Sequence, residues 1–147
     1  VFLAGERDPG TGPRIVLDGT RRLTVNELAP LSLAAPSYAP PGRFLLAAAF
    51  VGEALERDDD ELVDRARADA ALMLGQRKVD WSAIAVVRVP FAQFAQPPGI
   101  HGLLPSAVTG VPGLFLAGEA LSDSSYNGAL LGGEAAAHAV LSEGERP

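Results

Sequence analysis

Gly113-Leu114-Phe115-Leu116-Ala117-Gly118-Glu119, a polar loop, and then Asn127-Gly128-Ala129-Leu130-Leu131-Gly132-Gly133-Glu134-Ala135-Ala136-Ala137 form the stretch on which the fold reading turns. An apolar run bounded by Gly113 and Gly118 predicts a short buried strand. The loop spans Glu119–Asn127, and the helix is predicted over Gly128–Leu141. That helix is small or apolar nearly all round, so it is expected to be buried and closely approached by backbone or ligand. Gly128, Gly132 and Gly133 each cost up to roughly 1 kcal/mol of helix propensity against alanine, which close packing must offset.

A helix that follows the carboxyl end of a strand offers unpaired N–H groups and partial positive charge to an electron-rich ligand. Glu119 stands at that strand end and can accept hydrogen bonds from ligand hydroxyls, such as those of a ribose or ribityl chain. The same residues also fit a plainer reading, with Glu119 a solvated loop acid and Asn127 an N-cap.

The two quoted strings resemble the C-terminal flavin-binding signature of FAD-dependent amine oxidases, phytoene desaturases and protoporphyrinogen oxidases. The resembling pattern is roughly Leu-Phe-Leu-Ala-Gly-Glu/Asp, a loop, then Gly-Ala-x-x-Ser-Gly-x-x-Ala-Ala. Here Gly132 stands where that pattern has Ser. Upstream, Ala35-Pro36-Ser37-Tyr38-Ala39-Pro40-Pro41-Gly42-Arg43-Phe44-Leu45-Leu46, and Trp81 leading to Arg88-Val89-Pro90-Phe91-Ala92-Gln93, are similar to the substrate-domain segment of the phytoene-desaturase-like branch.

The resemblance implies FAD as cofactor, with Gly118 and Glu119 near its ribityl or pyrophosphate part. Tyr126, Asn127, Gly128 and Ala129 would then present backbone N–H groups to the flavin. It implies oxidation of an apolar, carotenoid- or isoprenoid-like, or amine substrate, and it singles out no catalytic residue. The expected fold is α/β (α+β), a sheet packed with helices, as the C-terminal fragment of a two-domain FAD/NAD(P)-binding Rossmann-like flavoprotein. Residues 1–106 would belong to the substrate-binding domain and 107–147 to the closing strand and helix of the FAD-binding domain.

A Gly-x-Gly-x-x-Gly phosphate turn, with an acid about 20 residues on, is absent from the sequence. Gly10-Thr11-Gly12 runs into Pro13 and Arg14 with no third glycine, and no strand is expected before it. The partner this implies is a missing N-terminal Rossmann half, and a chain that opens on Val1 rather than Met fits the same reading. The alternative is a non-catalytic partner subunit, or a folded remnant, that complements a separate FAD-binding half.

Outward from this segment, Arg14–Leu17 and Leu23–Val25 are expected as a hairpin around Asp18-Gly19, and Leu31–Ala34 as a further strand. The proline-rich run Ala35–Gly42 is an irregular connection. Arg43–Val51 is a continuous apolar run expected as a strand covered on both faces. Asp59–Leu74 is the clearest helix, with a capping box at Asp58 and Glu61, an acidic first turn, and Gly75 beyond its end. Leu62, Ala66, Ala70 and Met73 recur on one of its faces. Trp81–Phe91 is rich in β-branched residues and is expected as a strand that Pro90 ends.

The 147 residues hold 12 basic and 18 acidic side chains, a net charge of −6, which argues against nucleic acid as a partner. With no cysteine there is neither a thiolate metal site nor a cysteine nucleophile, and no metal is expected. His101 and His138 lack local ligand spacing. Ser122, Ser124 and Ser125 lack a nucleophile-elbow context, and loop solvation or capping explains them. Gln93, Phe94 and Tyr126 are open to either a substrate-pocket or an ordinary loop role. The longest nearly apolar run, Phe44–Val51, falls far short of the ~20 residues of a membrane span. The cytosol is the default compartment, and nothing in the sequence supports membrane contact.

Overall fold

The computed structural model describes residues 1–76 and 80–144 and divides the chain into two compact units, Val1–Arg88 and Val89–Pro147. The first unit is a five-stranded antiparallel sheet of order β2-β3-β4-β1-β5. Its strands are β1 (Phe2–Gly5), β2 (Val16–Leu17), β3 (Glu27–Ala29), β4 (Phe44–Ala49) and β5 (Ser82–Ala85). The class is thus mixed helix and antiparallel sheet.

Helix α2 (Asp59–Met73) supplies Leu62, Ala66 and Ala70 to the buried set. Ala66 and Ala70 join one core cluster with Leu3, Val25, Leu28, Leu46, Ala48 and Trp81. Its start realises one half of the expected capping box, for the Glu61 side chain accepts from the Arg57 guanidinium and not from the Asp58 N–H. Asp58 is the N-cap, its carboxylate accepting from the Glu61 N–H at 2.8 Å, and three acids fill the first turn. Beyond its end, Gly75 takes a φ of +63°, the left-handed conformation that closes helices at glycine.

Strand β4 occupies the predicted run, but its burial alternates. Leu46 and Ala48 face the core, while Leu45, Ala47 and Ala49 on the opposite face are only half-buried. The continuous apolar run therefore reflects small alanines on the second face and not burial of both faces.

The hairpin forms with a displaced return strand. Val16 pairs with Leu28 and Leu17 with Glu27, so the return strand is β3 and not Leu23–Val25. Two carboxylates cause the displacement by taking the intervening N–H groups. Asp18 accepts from Thr20, Arg22 and Leu23 at 2.9–3.0 Å, and Asp69 of α2 accepts from Thr24 and Val25 at 2.7 and 2.9 Å. A backbone whose donors are held by side chains has none left for a ladder.

Leu31–Ala34 is a single helical turn, α1, and not a strand. Pro30 leads into it and Pro36 follows, and the buried Ser32 hydroxyl accepts from the Leu45 N–H at 2.9 Å, docking the turn on β4. Only Ser82–Ala85 of the expected Trp81–Phe91 strand pairs in the sheet. Past it, the Arg88 guanidinium donates to the Leu55 and Arg57 carbonyls, both at 2.7 Å, and to Asp59, which ties this segment to the start of α2 instead.

In the second unit, Gly113–Gly118 is not a buried strand. Its one pairing is a bridge between Phe115 and Val108, and Leu114 and Leu116 are exposed. Helix α3 runs Tyr126–Gly144, starting two residues earlier than the sequence suggests. Its expected burial is likewise not found, for Leu130 is 73% exposed and Leu131, Val140 and Leu141 are exposed as well. Within its own unit, the helix packs mainly on the loop that precedes it.

Candidate functional site

The segment that leads into α3 is built on backbone geometry that only glycine supplies. Gly118 sits at φ 124°, ψ 178°, a region closed to residues with a side chain. The chain then winds through a short 3-10 turn over Glu119–Leu121, in which the Gly118 and Glu119 carbonyls accept from Leu121 and Ser122 at 3.3 and 3.0 Å.

Two helix glycines receive this loop. A Cβ on Gly128 would overlap the backbone of Asp123, and one on Gly132 would overlap the carbonyl of Gly118. Gly133 has open space around it, so its glycine is not demanded by packing inside this unit. The spacing of Gly128 and Gly132 is one helical turn, which places both on the face that meets the loop.

The cap is made by Ser125 and not by Asn127. The Ser125 hydroxyl accepts from the Gly128 N–H at 2.9 Å, and its carbonyl accepts the first helical bond from Ala129 at 2.9 Å. The same hydroxyl donates to the Asp123 carboxylate, and Ser122 reaches the other Asp123 oxygen at 3.4 Å. Among the described residues, the N–H groups of Tyr126 and Asn127 have no partner, so the positive end of the helix dipole is open there.

The expected site residues share this one loop and first helical turn. Gly118 and Glu119 are half-buried, Gly128 is buried, and Tyr126, Asn127 and Ala129 are exposed, Tyr126 at 94%. The Glu119 carboxylate has no hydrogen-bond or ion-pair partner among the described residues and is free to accept. Ser124, five residues further along the loop, has a buried hydroxyl with no partner. The sequence allows capping by Asn127 or by the loop serines Ser122, Ser124 and Ser125, and it assigns Ser124 no ligand role. Both Ser and Asn cap well, so composition alone does not choose between them.

The remaining candidates do not gather here. His138 lies on α3 with Glu134 at 3.8 Å, both exposed, and His101 is exposed in a 3-10 turn. Gln93 is exposed and Phe94 half-buried, in a stretch without regular structure. Among the described residues no three His, Asp or Glu side chains form a metal-binding cluster, and no helix is long and apolar enough to cross a membrane.

No curated protein gives a significant match to the chain. The model for flavin containing amine oxidoreductases matches residues 2–141, a range that includes this loop and most of α3, and the chain belongs to that family.

Proposed function

We propose that this chain carries the C-terminal flavin-contacting loop and helix of an FAD-dependent oxidoreductase of the phytoene-desaturase-like branch, acting on an apolar or amine substrate. The observation that carries the reading is the closure of the Gly118–Asp123 loop, which contains Glu119, on Gly128 and Gly132 in the first turns of α3. The residues present fit the cofactor. A buried, unpartnered Ser124 hydroxyl and an unpaired Glu119 carboxylate are what a polyhydroxyl chain would satisfy.

Glu119 suits hydroxyl groups and repels phosphates, so its role in this reading is at the ribityl chain. The Tyr126 and Asn127 N–H groups favour an electron-rich ring edge by about 0.3–1 kcal/mol. A bound flavin supplies the oxidation itself, taking up the electrons released by the substrate. The absence of Gly-x-Gly-x-x-Gly from these 147 residues leaves the pyrophosphate to a Rossmann-like half outside them.

The test compares Glu119→Ala and Glu119→Gln with the parent in the flavin-loaded protein, reading flavin absorbance retained through gel filtration. Loss of flavin from the alanine variant, with partial retention in the glutamine variant, supports the assignment. Equal retention in all three proteins removes Glu119 from the site.

A further inference from the structure

The hairpin Arg14-Ile15-Val16-Leu17-Asp18-Gly19-Thr20-Arg21-Arg22 departs from the character of the rest of the chain. Three of the 12 basic residues fall within these nine positions, against one acid, in a chain of net charge −6. Ile15 and Leu17 are 59% and 65% exposed, and Arg14, Arg21 and Arg22 are exposed around them.

The tip is built and held in place. Asp18 accepts from the backbone of Thr20, Arg22 and Leu23 and from the Thr20 hydroxyl, so its carboxylate is engaged inside the loop. That ring of bonds keeps Arg21 at φ +56°, the one left-handed residue other than glycine among the described residues. Neither Arg21 nor Arg22 pairs through its guanidinium with any described residue. Leu17, Arg22, Leu23, Leu72 and Met73 border a shallow groove of about 330 Å³ beside the turn, and Leu72 is exposed too. The facing acid is Glu27, half-buried and paired across from Leu17.

We propose that this hairpin is a docking surface for an anionic lipid bilayer. Exposed aliphatic side chains flanked by Arg14, which donates to the Thr11 carbonyl, and by the unpaired Arg21 and Arg22 match an interface in which the aliphatic groups enter the headgroup boundary and the guanidiniums meet lipid phosphates and carboxylates. A nucleic-acid backbone would use the arginines alone and leave Ile15 and Leu17 in water. Charge complementarity selects this face, because the acidic remainder of the chain is repelled by the same bilayer. Such contact is peripheral and reversible, since one short hairpin lacks the apolar area for permanent anchoring.

The experiment is vesicle co-sedimentation of the flavin-loaded protein, using phosphatidylcholine vesicles with and without phosphatidylserine, at low and high salt. Binding is expected only with phosphatidylserine and is expected to weaken at high salt. The R21A/R22A double variant should lower the binding constant by more than about tenfold. Leu17→Ser should weaken binding while leaving its salt dependence unchanged. Arg21→Gly suits the local backbone and serves as a folding control that still removes a charge. Equal binding to both vesicle types, no binding, or binding unaffected by R21A/R22A overturns the proposal. Duplex DNA binding as tight as the vesicle binding overturns it as well, by making the hairpin a general polyanion site.

Discussion

Gly132 lies against the carbonyl of Gly118 with no room for a Cβ between them, while Gly133, the next residue, faces open space. Two adjacent helix glycines therefore have opposite reasons for being present. Gly132→Ala should push the loop off the helix, destabilise the protein by about 1–3 kcal/mol and lower flavin retention. Gly133→Ala should hold the structure and gain up to about 1 kcal/mol of helix propensity. Urea midpoints and flavin absorbance of the two variants separate the cases, and equal effects would show that packing at Gly132 is not the constraint. Gly132→Ser, which restores the residue of the resembling sequences, should behave like the alanine variant unless the Gly118 carbonyl withdraws.

Asp69 is 5% exposed and holds the chain at Thr24 and Val25 through two short hydrogen bonds. Removing it leaves two N–H groups without acceptors, one of them on a residue of the core. Asp69→Ala should destabilise the protein by about 2–4 kcal/mol, and Asp69→Asn, which keeps one acceptor oxygen, by about half of that. Hydrogen exchange at Val25 gives the local readout: its amide should lose protection in the alanine variant first.

These carboxylates also explain where the sequence could be read and where it could not. Helix α2 was legible because its signals are local, with Asp58 at the cap, Glu61 three residues on and Gly75 at the end. The return strand was misplaced because Thr24 and Val25 are bound by Asp69, 44 and 45 residues away, and no window of sequence contains both ends. Leu31–Ala34 alternates like a strand, yet its flanking prolines and the Ser32 bond to Leu45 make it a helical turn. The glycine pattern of the candidate site was readable because close packing leaves a direct trace in residue type. The choice of Ser125 over Asn127 as cap was not, since it depends on Asp123 accepting from the Ser125 hydroxyl.

Asp18 provides the pH dependence. Hydrogen bonds from the Thr20 side chain and from the Leu23, Thr20 and Arg22 backbone lower its carboxyl from 3.8 to about 2. A lowered folded value means that the loop is stabilised by the charged form. That contribution is fully present above about pH 4 and is lost as the pH falls through about 2. The Thr20 and Leu23 amide resonances should shift together with a midpoint near 2, and a midpoint near 3.8 would show that the bonds are absent in solution. Arg21→Gly should relieve the left-handed strain and stabilise the fold by about 0.5–1 kcal/mol without moving that midpoint.

Gly5 and Trp81 make the last relationship open to a direct optical test. A Cβ on Gly5 would stand 2.6 Å from Cε3 and 2.8 Å from Cζ3 of the indole, so the ring lies flat on bare backbone where β1 ends. Trp81 is buried, and the Arg67 guanidinium donates to its backbone carbonyl at 3.0 Å, tying the main chain at Trp81 to α2. Neither the strand nor the indole can yield cheaply, because Leu3 of the same strand and Ala66 and Ala70 of α2 close the core around them. Gly5→Ala should therefore destabilise the protein by about 1–3 kcal/mol, through overpacking and not through any loss of contact. Trp81 is the only tryptophan in the chain, so the displaced ring should appear as a red-shifted emission maximum and a weaker near-ultraviolet dichroism band. Trp81→Phe, which removes the benzo ring that fills the space above Gly5, should make room for the alanine. In the double variant the two effects should then be less than additive, and strict additivity would show that the alanine is accommodated without touching the ring.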